Sequence, residues 1–329
     1  MELQNEPHRD QESRALPETM RAWRVKAFGG LDALRRETVP LPSLRDDEVL
    51  VEVHGAALNP VDLKTLEGRY PTITQHDLPF TLGRDVAGVV VARPEGASGW
   101  EPGTRVCAFI GQGQGALADY VAVPMSALAN APRGAGVDVV AATPLAALTA
   151  WQGLFDYGKL ERGERVLIQG ASGGVGRFAV QFARRCGAYP IVTASAQTHE
   201  ALRALGASET IDYRSQRFED VTGDIDLVFD LMGGEVQTRS WTVLKPGGTL
   251  ISTLTEPSQG QASAHGAHAA RYTTRADGAQ LEHILALLER SEITVEVVER
   301  YDFDAIGEAF ARLESGHPHG KLVALRDGA

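Results

Sequence analysis

The spacing of apolar and polar positions changes character twice along the chain. From residue 21 to about residue 132, apolar residues come in short clusters broken by Pro, Gly and acidic positions. This predicts short strands at 21–27, 48–57, 86–92, 105–109 and 120–123. Residues 137–150 turn to Ala, Leu and Thr and read as helical. Arg165–Gln169 is then a short apolar run of the kind a buried parallel strand shows. After the glycines that follow it, Val175, Phe178, Ala179, Phe182, Ala183 and Cys186 form one helical stripe that Gly187 ends. Further strands are expected at 190–194, 225–230 and 249–254 with helical segments between them, a βαβ series. The series closes near Arg290 on a helix with Leu281, Ile284, Leu285 and Leu288 on one face. Beyond it, 293–298 alternates as a strand, 304–314 reads as a helix capped by Asp304 and stopped by Gly316, and 321–325 is a last strand. The Ala/His/Gly-rich piece 258–270 reads as a flexible loop.

The turn Gly170, Ala171, Ser172, Gly173, Gly174, Val175 and Gly176 suits a pyrophosphate for a mechanical reason. Without Cβ atoms at Gly173 and Gly174 the backbone can come close to a ligand, and Gly176 lets helix and strand pack tightly. The free N–H groups of the helix start then face the negative charge. Ala171 holds the place of the first glycine of G-x-G-x-x-G, so the pattern alone also fits a plain turn; the βαβ context selects the nucleotide reading. An acid about 20 residues after such a loop would bind the ribose 2′-hydroxyl of NAD. Here the second strand ends Thr193-Ala194-Ser195-Ala196-Gln197-Thr198, with no carboxylate to repel a 2′-phosphate, so NADPH is expected over NADH.

At 329 residues the chain is too long for one ordinary core, and two domains are expected. A composition 43% apolar and 23% charged is that of a soluble globular protein, and no apolar run approaches the roughly 20 residues that span a bilayer. A formal charge of −11 argues against a nucleic-acid partner. Two cysteines, Cys107 and Cys186, exclude a disulfide framework or a four-cysteine zinc knot and fit a reducing, cytoplasmic setting. Residues 1–20 are polar and acidic, with neither the apolar core of a signal peptide nor the acid-poor character of a transit peptide, and read as a mobile tail.

Six motifs occur in a telling order: Asn59-Pro60-Val61-Asp62, Gly83-Arg84-Asp85-Val86-Ala87-Gly88, Pro144 to Trp151, the loop from Gly170 to Gly176, Leu244-Lys245-Pro246-Gly247-Gly248 and Gly320-Lys321-Leu322-Val323. Through them the chain resembles the medium-chain dehydrogenase/reductase superfamily, and within it the zinc-free quinone oxidoreductase (zeta-crystallin-like) branch. The resemblance implies an α/β fold: a GroES-like, mainly β domain at 21–138 and a Rossmann doubly wound parallel sheet at 139–290. The tail 291–329 returns to the first domain. It also implies a homodimer and an active site in the cleft between domains. Zinc alcohol dehydrogenases of the superfamily place Cys and His-Glu where this sequence has Asn59 and Arg84-Asp85, so no metal is expected. His265, His268, His317 and His319 lie in turn-like stretches and read as solvated.

Without a metal to polarise a hydroxyl, reduction of an electrophilic acceptor, a quinone or an α,β-unsaturated carbonyl, is the expected reaction. The resemblance puts Asn59, Asp62, Lys64 and Tyr70 at the nicotinamide end. Asn59 is expected to donate to a developing oxyanion, Lys64 or Tyr70 to supply a hydrogen bond or proton, and Asp62 to hold the donor. The plain alternatives are a turn at Asn-Pro, a capping Asp62 and a solvated Lys64. Many relatives carry a tyrosine where Lys64 stands. Arg84-Asp85 reads as an ion pair. Thr149, Ser195, Thr198, Tyr213 and Lys321 are expected, with the glycine loop, to contact the cofactor. Two alternatives remain at this point: an enoyl-thioester or alkenal reductase, and a non-catalytic NADPH-binding sensor or scaffold.

Overall fold

The computed structural model describes residues 15–111, 115–316 and 318–326. Most of the predicted N-terminal tail and His317 therefore lie outside the described residues. The last two tail positions, Thr19 and Met20, open the first strand, Thr19–Val25.

Arg165–Gln169 lies inside an all-parallel sheet of six strands. On one side of it come Tyr189–Ala194 and then Glu209–Asp212; on the other come Ile225–Asp230, Leu244–Ser252 and His268–Arg271. That order reverses direction beside Arg165–Gln169, the switch point at which doubly wound sheets open a crevice. Val166, Leu167 and Ile168 are fully buried because helices cover both faces. On one face Gly174–Cys186 presses Phe178, Ala179, Phe182 and Ala183 inward, and its chain turns away at Gly187 with φ +87°.

The second large sheet is built around Glu48–Leu58, which pairs antiparallel with Asp85–Ala92, Tyr120–Pro124 and Lys321–Leu325. Its register sets Leu322 opposite Leu58, so the chain's last described strand delivers Lys321 beside Asn59. Val297–Asp302 adds to this sheet in parallel on the far side of Lys321–Leu325. Thr19–Val25, Leu34–Pro40 and Phe80–Thr81 form a third, smaller sheet. Two short helices, Val137–Ala141 and Pro144–Trp151, connect the halves.

Three expectations need correction. The piece 258–270 is not a loop. Ser258 caps the helix Gln259–Ala264 by accepting from the Gln261 N–H, and His268–Arg271 extends the parallel sheet along Leu244–Ser252, a stabilisation that comes from the neighbour and not from local pattern. The strand expected at 293–298 begins only at Val297. Upstream, both the N–H and the C=O of Thr294 are satisfied by the Gln181 side chain, so this backbone needs no strand partner. The last helix, Ile306–Glu314, follows a turn capped by Asp302, whose carboxylate accepts from the Asp304 N–H; Asp304 instead pairs with Arg36.

Candidate active site

A cleft of about 770 Å³ runs between the two large sheets. At its base three residues from three distant elements meet. Asn59 ends the Glu48–Leu58 strand and caps the helix Pro60–Leu66, Asp85 opens its own strand, and Lys321 opens the last one. Lys321 Nζ donates to Asn59 Oδ1 at 2.5 Å and lies 3.7 Å from Asp85 Oδ2. Asn59 Nδ2 donates to Asp85 Oδ2 at 2.8 Å and to the Ala57 carbonyl at 3.3 Å. The other Asp85 oxygen accepts from the Leu145 N–H at 2.7 Å, in the first turn of Pro144–Trp151, where a carboxylate also meets the positive end of the helix. Burial pushes the Asp85 carboxyl up and the Lys321 amine down, so each depends on the other for its charge.

This corrects two expectations. The Asn59 amide is spent on Asp85, Ala57 and Lys321 and has no N–H left for an oxyanion. Arg84 and Asp85 do not pair with each other, because successive side chains of an extended segment point to opposite faces. Arg84 Nε instead faces Asp62 Oδ1 at 3.9 Å, and its guanidinium lies 4.6 Å from the centre of the Tyr70 ring.

Asp62 is fully buried behind the cleft and does not line it. One oxygen accepts from the Asn59 N–H at 2.9 Å in a capping box, which is the plain alternative for this residue. The other has no hydrogen-bond partner. Burial pushes the carboxyl up to about 6, against the opposing pull of Arg84.

At the parallel sheet, Gly170, Ser172, Gly173, Gly174, Val175 and Gly176 line the cleft, with Gly170 at φ +79°. Ala171 does not line it. It is buried beneath the loop, and a Cβ at Gly176 would stand 2.5 Å from Ala171 Cα, so the glycine is required by this packing. Ser195 lines the cleft with its hydroxyl buried and without a hydrogen-bond partner. Tyr213 and Arg214 stand exposed beside it, the guanidinium 5.7 Å from the ring centre. Thr198 is turned away: its hydroxyl donates to the Ser195 carbonyl at 2.9 Å, closing the turn from inside.

Toward the other end, Lys64, Tyr70, Arg69 and Arg271 line the cleft together. Burial, with Arg69 and Arg271 nearby, pushes the Lys64 amine down. Thr149 also lines it, its hydroxyl 2.6 Å from the Leu145 carbonyl and 2.8 Å from Thr274 Oγ1. Residue patterns alone point to none of Arg69, Arg271 and Thr274, and they read His319 as solvated. His319 lines the cleft, with Nε2 2.6 Å from Gln197 Nε2. Its place directly before Gly320-Lys321 is the available signal.

Residues 45–133 match the family model described as alcohol dehydrogenase GroES-like domain, and residues 205–323 that described as zinc-binding dehydrogenase. A 2-methylene-furan-3-one reductase of Solanum lycopersicum is 34% identical over 94% of this chain and 80% of its own length. The chain belongs to the medium-chain dehydrogenase/reductase superfamily, in its quinone oxidoreductase-like branch. An NADPH-dependent alkenal/one oxidoreductase of Arabidopsis thaliana is 32% identical over 94% of this superfamily member and 80% of that relative. The solved quinone oxidoreductase of Coxiella burnetii superposes with a TM-score of 0.88 at 29% identity, covering 93% of this chain and 99% of that one. The fold is thus the superfamily's GroES-like domain joined to a Rossmann-like parallel sheet.

Proposed function

We propose that the protein is an NADPH-dependent reductase that passes hydride to an α,β-unsaturated carbonyl or a quinone without the help of a metal ion. Lys321 carries this reading: the base of the cleft already holds its own cation, clasped between Asn59 and Asp85. A dication there would face that ammonium and the Arg84 guanidinium, and zinc favours thiolate and imidazole ligands. Among the described residues no three His, Cys, Asp or Glu side chains gather in a metal-binding group. Cys107 is buried in the core, where desolvation pushes its thiol far up.

A dinucleotide fits the other wall. The glycine loop meets the start of Gly174–Cys186 at the switch point, where a pyrophosphate would find N–H donors and no Cβ in its way. Ser195, Tyr213 and Arg214 would hold a 2′-phosphate, and among the described residues no carboxylate lines that end. The names of the relatives, an alkenal/one oxidoreductase that uses NADPH and a furanone reductase, support the same choice.

A bound reduced nicotinamide would supply the hydride. The chain's own residues supply the rest. Tyr70 and Lys64 offer O–H and N–H donors to the oxygen that gains charge, and one of them passes the proton that completes the reduction. With its amine pushed down by burial and two guanidinium groups, Lys64 gives up a proton more readily than a surface lysine. Phe109, Leu145, Met232 and Leu254 offer apolar surface that keeps water from the reacting atoms.

The test is a fluorescence titration with NADPH and NADH, followed by mixing the NADPH-bound protein with 3-octen-2-one and with 1,2-naphthoquinone. NADPH binding at micromolar or tighter affinity, weaker NADH binding and oxidation on mixing are expected. Binding without oxidation by either acceptor would remove the reductase reading.

A further inference from the structure

The protein is strongly acidic, at −11, yet the lining of the cleft reverses that sign. Among its described lining residues there is no Asp or Glu, while Lys64, Arg69, Arg84, Arg214, Arg239, Arg271 and Lys321 all reach it. A cleft of one sign with low-dielectric walls focuses potential onto whatever enters. Part of this charge has a purpose already: Arg84 and Lys321 answer Asp62 and Asp85, Arg239 answers Glu219, and Arg214 lies at the proposed phosphate end.

Lys64 is already the proposed donor to the acceptor oxygen; Arg69 and Arg271 are left over, and the cofactor does not need them. Arg271 ends the outermost strand of the parallel sheet, three strand spacings from Arg165–Gln169 and its glycine loop, or about 14 Å at about 4.8 Å per strand. It lies five spacings, about 24 Å, from Glu209–Asp212 and the Tyr213–Arg214 pair that follows it. The part of a dinucleotide farthest from its phosphates is the uncharged carboxamide end of the nicotinamide. The three cations come from both halves of the molecule, Lys64 and Arg69 from Pro60–Leu66 and the turn after it and Arg271 from the sheet edge. They are close enough for the two guanidinium groups to depress the Lys64 amine. Glu67 partly answers Arg69, and the Arg271 Nε donates to the Leu254 carbonyl. Holding three like charges at one end of a cleft costs stability, and a ligand of opposite charge recovers it.

Building on the proposed reductase reading, we propose that the natural acceptor carries an anionic group, a carboxylate or a phosphate, which Arg69 and Arg271 hold at the mouth of the cleft while its electrophilic carbon meets the nicotinamide. The anion sits away from the reacting double bond, so the charge steers and orients the acceptor without entering the chemistry.

Two matched pairs of acceptors test this with the full-length protein and NADPH. In the first, 3-octen-2-one is compared with 7-oxo-oct-5-enoate, in which a carboxylate replaces the terminal methyl and three methylenes insulate it from the enone. In the second, the crotonyl thioester of N-acetylcysteamine is compared with crotonyl-coenzyme A, whose charge is phosphate. The charged member of one pair is expected to show a kcat/KM on the order of tenfold higher than its neutral partner. That ratio should shrink toward one in 0.5 M NaCl and in Arg271→Gln and Arg69→Gln, which are exposed changes that leave the fold intact. The pair that responds identifies the source of the anion. A ratio near one in both pairs, or a preference that survives both substitutions, overturns the inference while leaving the reductase reading in place. No turnover of any of the four while 1,2-naphthoquinone is reduced also overturns the inference, and no turnover of any of the five overturns the reductase reading itself.

Discussion

Replacing Asp62 with asparagine should make the protein more stable at neutral pH, because Asp62 is a charge the fold holds at a loss. The carboxyl is fully buried, one of its oxygens lacks a hydrogen-bond partner, and its counter-charge on Arg84 is 3.9 Å away. Burial therefore outweighs the attraction, and the group titrates near 6 in place of an ordinary 3.8. Between those values the unfolded chain has released the proton and the folded chain still holds it. Stability from this group is then complete below about pH 3.8, falls as pH rises, and is lost by about pH 7. The rise from 3.8 to about 6, at about 1.36 kcal/mol per pH unit, gives a loss of about 3 kcal/mol across the window. The asparagine side chain would keep an oxygen for the Asn59 N–H and has nothing to titrate. Urea unfolding of both proteins at pH 4, 5, 6 and 7, followed by circular dichroism, should show the wild type losing about 2–3 kcal/mol relative to Asp62→Asn as pH rises. Two parallel stability profiles would refute the reasoning, and a wild type that gains on the variant with rising pH would mean that Arg84 dominates over burial.

Three further outcomes follow from single atoms. Gly176→Ala drives a Cβ to 2.5 Å from Ala171 Cα and 2.7 Å from two backbone oxygens, so the loop must shift, and NADPH affinity should fall on the order of tenfold by fluorescence titration. Ser195→Ala removes a buried hydroxyl that has no partner in the free protein; urea unfolding should find it as stable as the wild type or up to about 1 kcal/mol more so, while NADPH binding weakens and NADH binding does not. Lys321→Met leaves Asp85 buried without its cation and should cost about 3–5 kcal/mol in urea unfolding, most of it recovered in the double variant with Asp85→Asn.

The parts of the fold that are legible in the sequence are those whose cause is local. Arg165–Gln169 and Ile225–Asp230 form over the residues their apolar runs mark, since strands buried on both faces have little choice of composition. The glycine turn and the stripe from Phe178 to Ala183 are readable for the same reason, as is the stop at Gly187, where φ is positive. His268–Arg271 is not, because an Ala- and His-containing tetrapeptide becomes a strand only when Leu244–Ser252 offers it an edge. Arg271 is hidden with it. Thr198 fails for a subtler reason: a hydroxyl at a strand end can face the ligand or close its own turn, and residue spacing does not distinguish the two.

The base of the cleft shows most clearly why residues alone do not assign roles. Asn59, Asp85 and Lys321 are each visible as motif positions, but 262 positions separate Lys321 from Asn59, and only the register that sets Leu322 against Leu58 brings them together. Once they meet, hydrogen-bond arithmetic decides what Asn59 can do. Its two N–H groups go to Asp85 and Ala57 and its oxygen to Lys321, so turning an N–H toward a substrate oxyanion would strip a partner from a buried carboxylate or a buried backbone carbonyl. That loss, about 1–3 kcal/mol for a neutral buried group and more for a charged one, is as large as the stabilisation a single oxyanion donor gives in return. The base of the cleft therefore works as a fixed electrostatic frame, and in the proposed reaction donation to the acceptor is left to Tyr70 and Lys64, whose side chains line the cleft beyond that buried network.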